Sequence, residues 1–204
     1  MDSRKYFVIS VALVAIATGT WLSWRILAPA PQLQTATVLP AAIELAEFSL
    51  LDHTGNTFVP QDFSGQWNLV FFGFTHCPDI CPLTLQVLAN ARQMLANDGA
   101  ATLPRIVLVS VDPERDTPSV IRQYVSHFGA DVLGITGTVA EIRNMTRGLG
   151  IYFEKSNLNG DDYAVDHSAV VIVIDPDGNF HALFGAPHTA ENIAHDMQLI
   201  MAAR

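Results

Sequence analysis

Apolar residues recur along this chain in two periods, and the changes of period mark its elements. Trp67-Asn-Leu-Val-Phe-Phe-Gly-Phe74 and Arg105-Ile-Val-Leu-Val-Ser-Val111 are nearly continuous apolar runs of strand length, the pattern of strands covered on both faces. Between them, Pro82 to Ala96 carries Leu85, Leu88, Ala91 and Leu95 at helical spacing. Thr117-Pro118 opens a helix over Val120 to Phe128, with a capping hydroxyl followed by proline at the first helical position. Val139 to Leu149 reads as a further helix, ended by Gly150. Ala169–Ile174 and Phe180–Phe184 pair around the turn Asp175-Pro-Asp-Gly178, and Thr189 caps a last helix through Met201. Ahead of these, Phe48–Leu51 and Thr57–Val59 flank the turn Asp52–Asn56 and predict a short amino-terminal hairpin. The order β-α-β-α-(α)-β-β-α, with parallel crossovers early and a hairpin late, is that of an α/β layered domain of thioredoxin order, extended at its start.

A third pattern precedes the domain. From Tyr6 to Trp24 there are 19 residues without a charge, 14 of them apolar, bracketed by Lys5 and Arg25. A spanning helix needs about 20 mostly apolar residues. The run is longer than the core of a cleaved signal, and the one small-x-small triplet, Ala28-Pro29-Ala30, is followed by Pro31. The expectation is a single uncleaved transmembrane helix within residues 1–27, in preference to a cleaved signal or a buried core helix. Arg4 and Lys5 favour a cytoplasmic amino terminus, and no long Arg- and Ser-rich presequence precedes the segment. That predicts a single-pass protein of a bacterial inner membrane with its carboxy-terminal domain in the periplasm. Residues 28–43 are free of charge, hold several prolines and read as a tether, able to lift residues 44–204 about 40–50 Å if extended.

Composition sharpens the picture at two points. The 204 residues hold 11 Lys and Arg against 20 Asp and Glu, a formal net charge of −9. Over residues 28–204 the balance is 8 against 19, a net −11. Such a chain lacks the clustered basic residues that nucleic-acid binding requires, and it favours a partner with a basic patch. Two cysteines exclude a disulfide-stapled scaffold and a multi-thiolate zinc module.

Both cysteines fall in Phe72-Gly-Phe-Thr-His-Cys77-Pro-Asp-Ile-Cys81-Pro82, past the end of one apolar strand and before a helix, where open α/β sheets place their sites. Pro82 suits the first helical position, which would set Cys81 at the cap and Cys77 on the turn leading in. Both thiols would then face the positive end of the helix, which lowers their pKa, with Asp79 opposing. Three intervening residues permit either a disulfide or two thiolates on one metal ion. In the thioredoxin order, Asp166-His167-Ser168 approaches the late strand beside the pair, with His167 where an oxidoreductase carries proline. Two thiolates and one imidazole suit copper(I) and can hold copper(II), whereas zinc would want a fourth ligand.

Gly73–Pro82, Val111-Asp-Pro-Glu-Arg-Asp-Thr117 and Asp166-His-Ser168 together resemble the Sco (SenC/PrrC) family, membrane-anchored thioredoxin-like copper proteins of cytochrome c oxidase assembly. The resemblance runs over about residues 44–203 in the same order. It implies copper bound by Cys77, Cys81 and His167. It also implies delivery to the dinuclear CuA centre of cytochrome c oxidase subunit II, or reduction of the cysteines of that site. Other copper chaperones or thioredoxin-like reductants would be further partners. The expected activity is therefore metal transfer rather than enzymatic turnover, with a thiol-disulfide reductase using a Cys77–Cys81 disulfide bond as the alternative. A thiol peroxidase fits poorly, because Thr75 stands two positions before Cys77 and Val70 occupies the place of the expected proline. His76 adjoins the site and could tune it. His53, His127, His181, His188 and His195 show no ligand spacing, and the methionines look like core. Asp112 and Asp116 read as helix-capping or partner-steering residues, and Asp166 as the group that orients His167.

Overall fold

The computed structural model describes residues 3–27, 32–157 and 163–203. The chain divides into two compact units, Met1–Gln32 and Leu33–Arg204.

The first unit is helix α1, Ser3–Leu27. The hydroxyls of Ser10, Thr18 and Thr20 donate back to carbonyls three or four residues earlier along it. The expected transmembrane helix is not upheld. Among the described residues no helix is long and apolar enough to cross a membrane. Ser10, Thr18, Gly19, Thr20 and Ser23 interrupt the apolar run and dilute it. The Ala28–Pro31 stretch and the side chains of Arg4, Lys5 and Arg25 lie outside the described residues.

The second unit is built on an eight-stranded sheet. Its strands are β1 (Ala36–Glu44), β2 (Leu50–Asp52), β3 (Thr57–Phe58), β4 (Asn68–Gly73), β5 (Arg105–Ser110), β6 (Val132–Thr136), β9 (Val171–Ile174) and β10 (Asn179–Phe184). A separate two-stranded hairpin supplies β7 (Phe153–Asn157) and β8 (Tyr163–His167). The helices are α2 (Ile80–Asn97), α3 (Pro118–Val125), α4 (Val139–Thr146) and α5 (Ala190–Ala202). Sheet order is β1-β10-β9-β4-β5-β6-β2-β3, with β4, β5 and β6 parallel and the flanking pairs antiparallel. This is the mixed α/β, thioredoxin-like arrangement expected, including the β2–β3 hairpin in front.

Every residue of β4 is buried, as its unbroken apolar run requires. α2 lays Leu85, Leu88, Ala91 and Leu95 against the sheet. The hydroxyl oxygens of Thr117, Thr138 and Thr189 each accept the backbone N–H of the residue three positions on, in the first turn of their helices. Asp175 Oδ1 accepts the N–H groups of Asp177 and Asn179 and closes the β9–β10 turn.

Residues 36–43, read from sequence as part of a tether, form most of β1 and pair with β10. The register slips between Val38 and Ile43, around Pro40, which only an edge strand or a bulge tolerates. The strand is seated by a carboxylate from α5. Asp196, fully buried, accepts the backbone N–H groups of Gln34, Thr35 and Ala36 at 2.8 Å each.

Candidate metal centre

The site forms where β4 ends and α2 begins. Gly73 closes β4, and the chain turns through Phe74, Thr75 and His76 to Cys77. α2 starts at Ile80 with Asp79 at its cap, so Cys81 lies in the first turn rather than at the cap, and Pro82 lies two residues deeper than expected. Proline is accommodated there because the first four N–H groups of a helix have no internal partner. Cys77 Sγ takes one of those orphans by accepting the Cys81 N–H at 3.4 Å.

His167 is the last residue of β8, and its Nε2 lies 3.5 Å from Cys81 Sγ. Nδ1 lies 3.1 Å from the carbonyl oxygen of Ser168, which can only accept, so the proton sits on Nδ1 and Nε2 turns its lone pair toward the thiol. The orienting acceptor is thus the Ser168 carbonyl rather than the Asp166 carboxylate expected. Phe71 and Phe74 flank the imidazole edge-on, each with its ring centre 5.9 Å away. Burial lowers the His167 pKa below 6.5, so the ring is neutral at pH 7.

The expectation of lowered thiol pKa values fails at Cys81. The side chain is fully buried, and burial pushes its thiol well above the ordinary value; the hydrogen bond with Cys77 and the nearby charge of Asp116 push the same way. A hydrogen bond at Phe74 opposes them without prevailing. Desolvation of an anion beneath the sheet outweighs one helix end. Both cysteines are free, Cys77 half-buried.

Three expected residues therefore converge on one end of the sheet. Cys81 and His167 are in contact, while Cys77 meets them through the first turn of α2. Among the described residues no group of three or more His, Cys, Asp or Glu side chains is already arranged to hold a metal ion. The donor set itself fits a soft ion, with two sulfurs, one neutral imidazole nitrogen and apolar walls.

Asp112 and Asp116, read as possible capping groups, are both fully buried and do not cap; Thr117 caps α3. Asp116 instead accepts the N–H of Thr75 at 3.0 Å and its hydroxyl at 2.5 Å. Asp112 accepts the hydroxyl of Tyr163 at 2.7 Å. Tyr163 and Arg115 were not singled out in the sequence, although Arg115 lies within the Val111–Thr117 motif. A cavity of about 310 Å³ bordered by His53, Arg92 and Arg105 lies at the opposite ends of β5 and β6, away from the cysteines. His53 accepts the Gly134 N–H and His188 meets the Ala169 carbonyl, both in structural contacts.

Comparison with known proteins gives a consistent result. The family described as SCO1/SenC matches residues 37–202. The mouse mitochondrial "Protein SCO2 homolog" is 36% identical over 94% of this chain and 78% of its own length. The human mitochondrial SCO2 homolog is 38% identical over 91% of this chain and 71% of its own. The crystal structure of Arabidopsis thaliana ScoI with copper bound superposes with a TM-score of 0.75, at 33% identity, covering 79% of this chain and 99% of that one. The expected placement in a bacterial inner membrane, single-pass with a periplasmic domain, is overturned on two counts. These curated relatives are mitochondrial by name, and no described helix is long and apolar enough to cross a membrane.

Proposed function

The chain belongs to the SCO1/SenC family, and from that premise we propose that it binds copper and serves cytochrome c oxidase assembly. Cys77, Cys81 and His167 hold the metal. The observation that carries the assignment is the 3.5 Å approach of His167 Nε2 to Cys81 Sγ from 86 residues away in sequence. The active unit is the second compact unit, Leu33–Arg204, whose sheet edge is β1.

Copper is the cargo here, received and passed on. Two sulfurs and a nitrogen retain copper(I) with low coordination, which leaves an open approach for a ligand of the receiving protein. Cys77, half-buried at the mouth, is the sulfur from which exchange begins. His167, already neutral and correctly tautomeric, binds without first losing a proton. Cys81 must give one up. The acceptor is the CuA centre of cytochrome c oxidase subunit II.

Anaerobic titration of the reduced full-length chain with copper(I), beside the Cys77→Ala, Cys81→Ala and His167→Ala variants, tests the reading. One copper per chain, lost in each cysteine variant and weakened in His167→Ala, is expected. Stoichiometry well below one would sink it. A second reading, a thiol-disulfide reductase acting on the cysteines of the CuA site, is favoured by the place of Cys77 Sγ, 3.4 Å from the Cys81 backbone nitrogen. It requires both cysteines but not His167, so a His167→Ala chain that still matures oxidase selects it.

A further inference from the structure

The hairpin that carries His167 is a structural oddity. Among the described residues β7 and β8 pair with each other, over five residues each, and with no strand of the large sheet. An isolated two-stranded hairpin is marginally stable in water. Yet its last residue must stand within an ångström or so of its place against Cys81. Something other than sheet pairing fixes it.

Phe153 and Val165 bury the hairpin in the core, and the turn at residues 112–116 ties it to both halves of the site. On one side, the fully buried Asp116 carboxylate holds Thr75, two residues before Cys77, through the two contacts given above. It also accepts the hydroxyl of Ser110 at 2.6 Å, and that hydroxyl oxygen accepts the Asp112 N–H at 3.0 Å. On the other side, the fully buried Asp112 accepts the Tyr163 hydroxyl, at the first residue of β8, and pairs with Arg115 Nε. The Arg115 guanidinium lies 3.9 Å from the centre of the Tyr163 ring and donates to the Tyr163 carbonyl at 3.3 Å. It also stands 5.8 Å from the centre of the Phe74 ring, one of the two rings that flank His167. Burying two carboxylates is costly unless each is fully hydrogen-bonded. Here the bonding is spent on the two segments that carry the metal donors.

We infer that Asp112, Arg115 and Tyr163 are positioning residues that set His167 against the cysteine turn, which Asp116 holds from the same five-residue segment. Neither Asp112 nor Tyr163 touches the metal donors. They act by fixing where β8 begins, four residues before His167. The inference rests on the copper reading above.

The test uses the full-length chain with Tyr163→Phe and, separately, Asp112→Asn, each alone and combined with His167→Ala. Copper(I) affinity is read by competition with a chromophoric chelator. In the metal-free protein, NMR contacts between the His167 ring and those of Phe71 and Phe74 are read, with the Cys77–Cys81 midpoint against glutathione. Each single variant should weaken copper about 10- to 100-fold, the usual loss when a ligand's supporting partner is removed. Neither should add to the loss in His167→Ala, and the midpoint should stay unchanged, because the cysteine turn is held separately. Fading ring contacts in the metal-free chain should accompany the loss, a change that general destabilisation with a correctly placed His167 would not produce. Unweakened copper binding in Tyr163→Phe and Asp112→Asn, while His167→Ala is weakened, would overturn the inference alone. Equal losses with and without His167 would do the same. If His167→Ala itself keeps full affinity, the ligand set falls and the inference with it. Should one variant fail to fold, the other carries every arm.

Discussion

Cys81 Sγ and His167 Nε2 meet at 3.5 Å, a thiol held protonated by burial against an imidazole held neutral by burial. Each is a poor ion on its own, and each is a ready donor once a soft cation arrives. The contact is thus primed for metal rather than for acid–base work, since neither partner changes charge near pH 7 without one.

That relationship sets the pH dependence of metal uptake. The Cys81 thiol keeps its proton through the neutral range, so every copper bound there releases it. Apparent copper(I) affinity should rise about tenfold per pH unit from this proton alone between pH 6 and 8. His167 adds proton competition only below its lowered pKa. Chelator competition at three pH values checks this, and a flat profile contradicts it. In the metal-free chain at pH 7, iodoacetamide should alkylate Cys77 well before the buried Cys81, as peptide mapping would show.

Gly73 governs the space behind the thiol. A Cβ there would stand 2.8 Å from Phe71 Cε1 and 3.0 Å from Cys81 Sγ. Gly73→Ala must therefore displace the sulfur or the ring in a closely packed core, at about 1–3 kcal/mol. Copper affinity and urea-unfolding stability should both fall. Gly185→Ala, where nothing lies within 4 Å, is the control that should leave both intact. A Gly73→Ala chain with wild-type copper affinity would show that Cys81 does not need this wall.

The sequence was legible where burial is strong and periodic. β4, β5 and α2 announce themselves because both faces of a central strand and one stripe of a helix must be apolar. β1 was read as a tether because Pro40 and an absence of alternation hide an edge strand. β7 and β8, polar and short, carry no pattern that separates them from a loop, although His167 ends one of them. The trio Cys77, Cys81 and His167 could be inferred from topology. The protonation of Cys81 could not, because helix-end electrostatics are readable from a motif whereas the depth of burial is set by tertiary packing. Likewise Asp112 and Asp116 announce themselves as carboxylates near helix α3, but their partners Tyr163 and Thr75 lie 51 and 41 residues away.

Across the hairpin, Glu154 and Asp166 face one another directly, both exposed. Like charges at opposed positions disfavour the pairing. The Asp166 charge also holds the His167 pKa up, against the larger pull of burial. Asp166→Asn should therefore lower the His167 pKa further while steadying the hairpin. Imidazole carbon–proton shifts followed from pH 4 to 8 would read the first effect and hydrogen exchange in β7 and β8 the second. A rise in the His167 pKa would contradict the assignment.

The Asp196 carboxylate is the seat of β1. Burial alone would raise the pKa of this group. The N–H groups of Thr35, Gln34 and Ala36 and the His195 ring at 2.9 Å outweigh it, and the net value is lowered from 3.8. A folded pKa below the unfolded one means that the ionised form is favoured by folding. The resulting stability is fully present above about pH 4 and is lost as pH falls through the lowered folded value. Asp196→Asn keeps the size of the side chain but removes the charge and one acceptor oxygen, leaving buried N–H groups short of a partner. It should cost about 1–3 kcal/mol at pH 7 in urea unfolding. The gap between wild type and Asp196→Asn should narrow steadily below pH 4, because the wild-type carboxyl is then protonated too. Hydrogen exchange should show β1 and the facing half of β10 opening first in the variant, while the Cys77–Cys81 turn at the far end of β4 stays protected. A gap that persists unchanged at pH 2.5 would mean that shape, not charge, seats the strand.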